Sequence, residues 1–366
     1  MQPERSPAAR LNALTLERNI PVSATIEVTR RCPLNCRHCY LPETRGRAAP
    51  DPELTAAQWG GILAQLAEAG TLYLVFTGGE PLLRPDLAEL CARAKKLKFD
   101  VRIFSTGLGV DRALALRLKK AGVSGFEISF YGRARIHDAI TGLKGSFEGS
   151  LSASRLLKKV GIKVKMKIPL MKTNLSQTGW LKALAKREGF EVSFDPVITA
   201  ANDGNAAALK FRLSSPQLAK AVTLLGPSPA PTSAGLYSAR RRAAAVGSAL
   251  ATNHSPLITA FPCGAGRNVC AVGPGGELYP CLQLPVKLGN LARGRFAGLW
   301  RNSRWLKKWR SAGLKELGKC ASCLYIDFCS RCPGVSLIEE GDIFAPNKPA
   351  CAIAEITHDV AIGHKP

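Results

Sequence analysis

The chain has no run of about 18 consecutive apolar residues, which excludes a transmembrane helix of ordinary length. Residues 1–20 mix Glu4, Arg5, Arg10, Glu17 and Arg18 with single leucines, so no segment of signal-peptide type is present. With neither feature, the sequence predicts a cytoplasmic protein. Negative charge is scarce as well: 27 Asp and Glu stand against 51 Lys and Arg, a formal charge of +24. The excess suits an anionic partner or substrate, or a basic bias spread over solvated surface, and composition leaves both open. What the sequence does hold is cysteine, twelve in 366 residues. In a reducing compartment, clustered cysteines read as metal ligands rather than disulfides. The 46% hydrophobic and 21% charged content is that of a globular protein, and the length exceeds that at which one core usually stops growing, so two domains are expected.

The cysteines begin with Cys32-Pro33-Leu34-Asn35-Cys36-Arg37-His38-Cys39-Tyr40, a C-x3-C-x2-C loop after a short apolar strand. Three thiolates can each hold one iron of a four-iron cluster, and the lack of a fourth nearby leaves one iron open to a small molecule. The same positions could form the buried stripe of an amphipathic helix, or part of a zinc knuckle. Against the stripe stand Pro33 and Pro42 at its ends and Asn35, Arg37 and His38 within it; against zinc stands the missing fourth ligand. Further on comes Phe76-Thr77-Gly78-Gly79-Glu80-Pro81. Together and in this order, the two motifs resemble the radical S-adenosylmethionine (radical SAM) superfamily.

Strand-like runs at 24–29, 71–76, 101–105, 125–130, 162–170 and 191–194 alternate with helical runs at 55–69, 86–98, 111–121, 147–160 and 175–187. Alternation with mostly continuous apolar strands argues an α/β fold with a parallel sheet. Right-handed crossovers would curl that sheet into a partial (β/α)6 TIM-type barrel, the superfamily's usual core. Active sites in such sheets lie at the C-terminal strand ends. This rule selects Thr77 to Pro81, Ser105 and Thr106, Ser129 and Tyr131, Pro169 and Lys172, and Asp195. The resemblance implies that Gly78, Gly79 and Glu80, with Thr77 beside them, meet the methionine amino end of S-adenosylmethionine, the glycines letting backbone approach the ligand. It likewise implies that Ser105 and Ser129 contact its ribose and carboxylate; each hydroxyl could equally be a helix N-cap. Lys163, Lys165 and Lys167 alternate with Ile162, Val164, Met166 and Ile168, so they share one strand face. Either they point into the lumen, where Lys167 would approach the cofactor carboxylate or an acidic substrate, or the strand is half exposed. Asp195, Glu127, His137 and Tyr131 are acid–base candidates by position.

Beyond residue 200 the alternation weakens. Asn202-Asp203-Gly204-Asn205 is a turn cluster, Pro227, Pro229 and Pro231 mark an irregular link, and Arg240, Arg241 and Arg242 lie in an alanine-rich helix that is either a solvated face or a dock for an acidic peptide. The last hundred residues hold Cys263, Cys270, Cys281, Cys320, Cys323, Cys329, Cys332 and Cys351. Gly273-Pro274-Gly275-Gly276 is a hairpin turn that brings Cys270 and Cys281 together. Eight cysteines suffice for two fully ligated four-iron clusters, and a zinc ribbon would use the same residues. The region resembles the SPASM extension of radical SAM enzymes, with x2 before Cys332 where the family commonly has x3. That resemblance implies a nearer auxiliary cluster on Cys263, Cys270, Cys281 and Cys332, and a farther one on Cys320, Cys323, Cys329 and Cys351. Cys91 is left as a buried core thiol. Trp300 to Arg310 could be an RNA- or membrane-binding helix, but Trp305 and Trp309 are i, i+4 neighbours and packing is the favoured reading. The expected organisation is a polar lead-in over 1–20 with at most one helical turn, a barrel over 21–200, a bridge over 201–258 and the SPASM domain over 259–366.

Three 4Fe-4S clusters and S-adenosylmethionine are therefore the expected cofactors. Among SPASM enzymes the chain looks most like maturases of ribosomally made peptides, which form carbon–carbon or thioether crosslinks. Leu282 stands where anaerobic sulfatase maturases place an acid after the equivalent cysteine. The winged-helix recognition domain some maturases carry does not fit before Cys32, so a separate small leader-recognition protein is expected, with a flavodoxin or ferredoxin as reductant and no nucleic acid or membrane partner. The alternatives are oxidation or decarboxylation of porphyrin side chains, and a non-catalytic electron carrier or zinc scaffold, in which Gly78-Gly79-Glu80-Pro81 would have no role.

Overall fold

The computed structural model describes residues 6–41, 53–225 and 263–362. Residues 42–52, the proline link and the triple-arginine helix lie outside the described residues, as does most of the expected bridge.

A helix α1 (Pro7–Arg18) comes first, with Ser6 accepting from Ala9 N and Pro7 in the first turn, where its missing N–H costs nothing. It is twelve residues long, where the sequence suggested at most one turn. The reason is tertiary: Asn12 and Thr15 accept hydrogen bonds from Asn268 Nδ2 (2.9 and 3.2 Å), and Asn19 O accepts from Trp300 Nε1 (2.7 Å).

Then β1 (Ser23–Thr29), α2 (Ala56–Glu68), β2 (Tyr73–Gly78), α3 (Leu87–Lys96), β3 (Asp100–Ser105), α4 (Arg112–Lys120), β4 (Val123–Ser129), α5 (Ala134–Thr141), α6 (Ser146–Lys159), β5 (Lys163–Pro169), α7 (Thr178–Glu188) and β6 (Glu191–Asp195) follow. β1 to β6 pair in sequence order and in parallel. This is the expected parallel sheet of a partial TIM-type barrel. Thr55 opens α2 with a capping box to Gln58, and Asp111 caps α4 through Leu114 N, so two helix starts are written locally.

Burial alternates along the strands: Ala24, Ile26, Val28, Leu74, Phe76, Val101, Ile103, Phe126, Ile128, Val164, Met166 and Ile168 are all at most 5% exposed. They face the helices and form the core. The opposite face lines an open lumen, which is why the strands alternate instead of being apolar throughout.

After α8 (Ser215–Leu225), the cysteine-rich part does not start a second sheet. Strand β7 (Val269–Val272) pairs in parallel with β1, Cys270 opposite Ala24, and β8 (Glu277–Tyr279) and β9 (Gly289–Asn290) extend the sheet antiparallel. The described strands form one sheet of order β6-β5-β4-β3-β2-β1-β7-β8-β9, and one apolar cluster runs through both halves of the chain. The helices Phe296–Asn302 and Arg304–Ser311 pack against it: Trp309 is 1% exposed, and its Nε1 donates to Ala265 O. Arg310 donates to Gly266 O (2.7 Å) and Trp300 O (2.8 Å). The aromatic-basic stretch is therefore a packing element. Among the described residues no helix is long and apolar enough to cross a membrane.

Replacing Trp309 with Ala removes both the buried ring and its hydrogen bond. Denaturant unfolding should show a loss of about 3–5 kcal/mol, and an unchanged midpoint would contradict this packing role.

Candidate active site

The cysteine loop is held from two sides. On one side, Gly79 N donates to Thr29 O (2.9 Å) and Glu80 N to Arg31 O (2.8 Å), just ahead of Cys32. Gly78 has φ +130°, and a Cβ there would lie 2.1 Å from Thr29 O; one on Gly79 would lie 2.3 Å from Arg31 O. The glycines thus admit the backbone that leads into the cysteines, where the sequence suggested approach to a ligand. Arg84 reinforces this corner, donating to Val28 O and Leu54 O while pairing with Asp86 at 2.6 Å and Glu53 at 3.7 Å.

On the other side, Asn35 N and Arg37 N donate to Thr141 O (2.8 Å) and Ile140 O (3.2 Å) at the end of α5. These are carbonyls that a helix end leaves without intrahelical partners. The helix itself was not anticipated from sequence.

Cys32, Cys36 and Cys39 all lie on this loop, closed by Cys39 N donating to Cys36 O (3.2 Å). Burial pushes the Cys32 thiol up to about 11, with Glu80 and Cys39 adding to the rise. The Tyr131 hydroxyl lies near Ser129 and Cys36, and its ring packs between His38 (4.9 Å) and His137 (5.2 Å). Tyr131 therefore packs against the cysteine loop. His137 is 1% exposed among the rings of Phe130, Tyr131 and Phe147, and burial lowers it to about 4. The structure places it in the core, neutral near pH 7, and out of the acid–base role its sequence position suggested.

Glu80 is 1% exposed and takes hydrogen bonds from Ser105 Oγ (2.8 Å), Thr106 N (2.8 Å), Thr106 Oγ1 and Leu82 N (3.0 Å). Burial raises its carboxyl against these bonds, which favour the charged form. Ser105 also accepts from Gly107 N (2.8 Å), so its hydroxyl serves Glu80 and the turn. Thr77 sits opposite Glu27 in the sheet register. Asp195 accepts from Val197 N (3.0 Å) at the end of β6.

Lys163, Lys165 and Lys167 face the lumen, opposite their buried apolar neighbours. Lys165 pairs with Glu127 at 3.7 Å, lower in the barrel. Lys167 lies between Ser129 and Ser193 in register and makes no ion pair among the described residues.

Sequence reasoning passed over Glu27 and Tyr40. Tyr40 Oη donates to Glu27 Oε1 (2.9 Å), and burial raises the Glu27 carboxyl, opposed by Tyr40 and Arg30 and aided by Glu277. The period-2 pattern Ser23, Thr25, Glu27 on the lumen face was the available signal. Asn202 joins this corner to the C-terminal part, its N–H donating to Tyr40 O (2.8 Å) and its Nδ2 to Leu282 O (3.3 Å).

The eight C-terminal cysteines fall into two groups. Cys263 lies within electrostatic reach of Cys281 and Cys332, and Cys270 of Cys281; burial drives Cys263 up to about 12. Gly334 allows this, since a Cβ there would lie 1.8 Å from Gln283 O, two residues past Cys281. Cys320, Cys323, Cys329 and Cys351 border one void of about 70 Å³ together with Arg331, and Cys263 of the first group also reaches its wall. Cys351 and Cys329 both feel Cys320 and Cys323, and burial raises Cys329 to about 11. No three Cys, His, Asp or Glu side chains among the described residues close on a single-ion point. Four thiols around a void are a donor set that fits an iron–sulfur cluster. Arg331 lies between the groups, near Cys320, Cys329, Cys263 and Cys332. Cys91 is buried in α3.

Residues 26–178 match the Radical SAM superfamily and residues 263–333 the SPASM iron-sulfur cluster-binding domain. The AdoMet-dependent heme synthase of Oleidesulfovibrio alaskensis is 26% identical over 355 residues, covering 92% of this chain and 89% of that protein. The PqqA peptide cyclase of Gluconobacter oxydans is 34% identical over 170 residues, 46% of this chain and 47% of that protein. Among solved structures, Streptococcus suis SuiB bound to its precursor peptide SuiA aligns with a TM-score of 0.68 at 18% identity, over 96% of this chain and 83% of that one.

Two alanine substitutions separate the sites. Gly79→Ala should displace the Cys32 loop and cost about four irons while leaving the C-terminal iron; Gly334→Ala should cost about four from the other end. Iron analysis and visible absorption of each reconstituted variant check this, and full loading of either would contradict the close approaches described.

Proposed function

Because the chain is a radical SAM oxidoreductase with a C-terminal SPASM domain, we propose that it holds three 4Fe-4S clusters and oxidatively crosslinks a ribosomally made peptide through a carbon–carbon or thioether bond. The observation that carries the reading is the convergence of the three-cysteine loop, Glu80 and the polar inward face of β5 at one end of the barrel. Similarity to the peptide cyclase and to SuiB supports a peptide as the substrate.

Cys32, Cys36 and Cys39 would hold the reactive cluster. Cys263, Cys270, Cys281 and Cys332 would hold one auxiliary cluster, and Cys320, Cys323, Cys329 and Cys351 the other. When bound, S-adenosylmethionine and the reduced cluster supply a 5′-deoxyadenosyl radical able to take hydrogen from an unactivated carbon. The chain's own groups bind and orient. Glu80, fixed by Ser105, Thr106 and Leu82, presents a carboxylate to the cofactor's ammonium group, with Gly78 and Gly79 fixing where it stands. Thr77, Ser129 and Lys167 are the remaining cofactor contacts in this assignment. Glu27, whose Oε1 accepts a hydrogen bond from Tyr40 Oη in a partly buried setting, is the group suited to take a proton from the oxidised peptide. It replaces the acid that Leu282 does not provide. The barrel over 21–200, the bridge over 201–258 and the SPASM domain over 259–366 complete the assignment, with a separate leader-recognition protein and a flavodoxin or ferredoxin as partners.

A second reading, oxidation or decarboxylation of porphyrin side chains, draws support from similarity to heme synthases along nearly the whole chain. Anaerobic assays with dithionite and S-adenosylmethionine distinguish the two. The peptide reading expects 5′-deoxyadenosine formation coupled to a peptide losing two hydrogens by mass, with no turnover of a porphyrin precursor. The reverse pattern would overturn it. Glu27→Gln should keep peptide-free 5′-deoxyadenosine formation yet lower crosslinked product on the order of 100-fold, and equal product would remove Glu27 from the mechanism.

A further inference from the structure

In a βα barrel the helix C-termini and the strand N-termini share the face opposite the active site. Here that face is basic. The last turns of α3, α4, α6 and α7 carry Arg93, Lys95 and Lys96; Arg117, Lys119 and Lys120; Lys158 and Lys159; and Lys186 and Arg187. Lys98 and Lys163 add to the ring, and all of these side chains are exposed.

Favourable charge at helix C-termini accounts for part of this. Lys119 Nζ donates to Gly161 O and Lys158 Nζ to Glu188 O, which satisfies carbonyls at those ends, while Arg93 pairs with Glu89 and Arg187 with Glu188. The side chains of Lys96, Lys98, Lys120 and Lys159 make no hydrogen bond or ion pair among the described residues. They are surplus to the fold.

This ring surrounds the lower mouth of the lumen, a cavity of about 160 Å³ between β3, β4, β5 and β6. Its own charges are largely matched, Asp100 with Arg102 (3.2 Å) and Glu127 with Lys165 (3.7 Å). Gly125 leaves its place in the wall without a side chain. Above it, the lumen face of β5 leads from Lys163 at the rim to Lys167 near Ser129. That distance is about 13 Å, four residues of extended chain. The layout is a basic collar around a charge-matched cavity at the lower end, with the proposed reaction site at the upper end of the same strands.

We propose that the collar is the docking surface for an acidic stretch of the polypeptide substrate, which feeds the neighbouring residues through this cavity to the upper end of the lumen. The inference rests on the peptide reading and adds the charge of the substrate and its direction of approach. Charge complementarity selects an acidic segment. A cavity of about 160 Å³ has room for side chains of an extended segment, which favours a polypeptide over a folded nucleic acid or a membrane surface. Acidic residues should then lie roughly four or more positions from the crosslinked residue.

The test uses the full chain loaded with iron, and a fluorescein-labelled decapeptide carrying six glutamates, followed by anisotropy. The variant Lys96→Gln, Lys98→Gln, Lys120→Gln, Lys159→Gln alters only exposed side chains. A control variant, Lys210→Gln, Lys307→Gln, Lys308→Gln, Lys315→Gln, removes the same charge elsewhere. The collar variant should bind the peptide at least about tenfold more weakly than wild type, with a shallower salt dependence, while the control binds like wild type. Circular dichroism and peptide-free 5′-deoxyadenosine formation should be unchanged in both. Equal weakening in the two variants would overturn the collar in favour of general charge. So would displacement of the peptide by a 20-nucleotide single-stranded RNA or by phosphatidylserine vesicles at lower concentration, lost in the collar variant. Absence of 5′-deoxyadenosine in wild type would instead count against the radical reading, and the binding result would stand apart from it.

Discussion

Everything at the upper end of the barrel depends on backbone passing backbone at Gly78 and Gly79. A Cβ at either position would lie 2.1 or 2.3 Å from the carbonyl oxygens of Thr29 and Arg31, separations no side chain tolerates. With hydrogen there instead, the end of β2 hydrogen-bonds the two residues that deliver the chain to Cys32. The next residue, Glu80, is then fixed under the ends of β3 by Ser105 and Thr106. The three-cysteine loop and the Glu80 carboxylate are thus set by one contact between two strands. The two sequence motifs are one physical object.

The C-terminal part repeats the device. Gly334 lets the helix Pro333–Glu340 rest on Gln283, so that Cys332 and Cys281 meet. Because β7 extends the sheet from β1, Cys270 is built into the same core as the barrel. Asn202 and the Arg212–Glu339 pair (2.7 Å) tie the halves again from the far side. This arrangement keeps the C-terminal thiol groups in fixed relation to the barrel. Arg331, between the two C-terminal groups, offsets part of the thiolate charge that either would carry.

Much of this was legible in the sequence because it is written in spacing. C-x3-C-x2-C, the βα alternation and the lysines on alternate positions of β5 each follow from a period or an offset. What was missed is held by contacts distant in sequence. Helix α5 matters because its terminal carbonyls take the Asn35 and Arg37 N–H groups, which no local pattern announces. Strand β7 was visible as half of a hairpin, but its parallel pairing with β1 was not. The glycines were read as letting backbone approach a ligand, and no sequence pattern says that the backbone of Thr29 and Arg31 passes against them. His137, attractive as an acid–base group by position, proved to be the filling of an aromatic cluster behind Tyr131.

The most direct test of the central claim is native mass spectrometry of the anaerobically reconstituted full-length chain, counting iron, sulfide and zinc. The account predicts about twelve iron and twelve sulfide per chain, falling to roughly eight of each when Cys32, Cys36 and Cys39 are replaced by alanine. Zinc in the C-terminal groups, or a wild-type chain that saturates at about four irons, would contradict it.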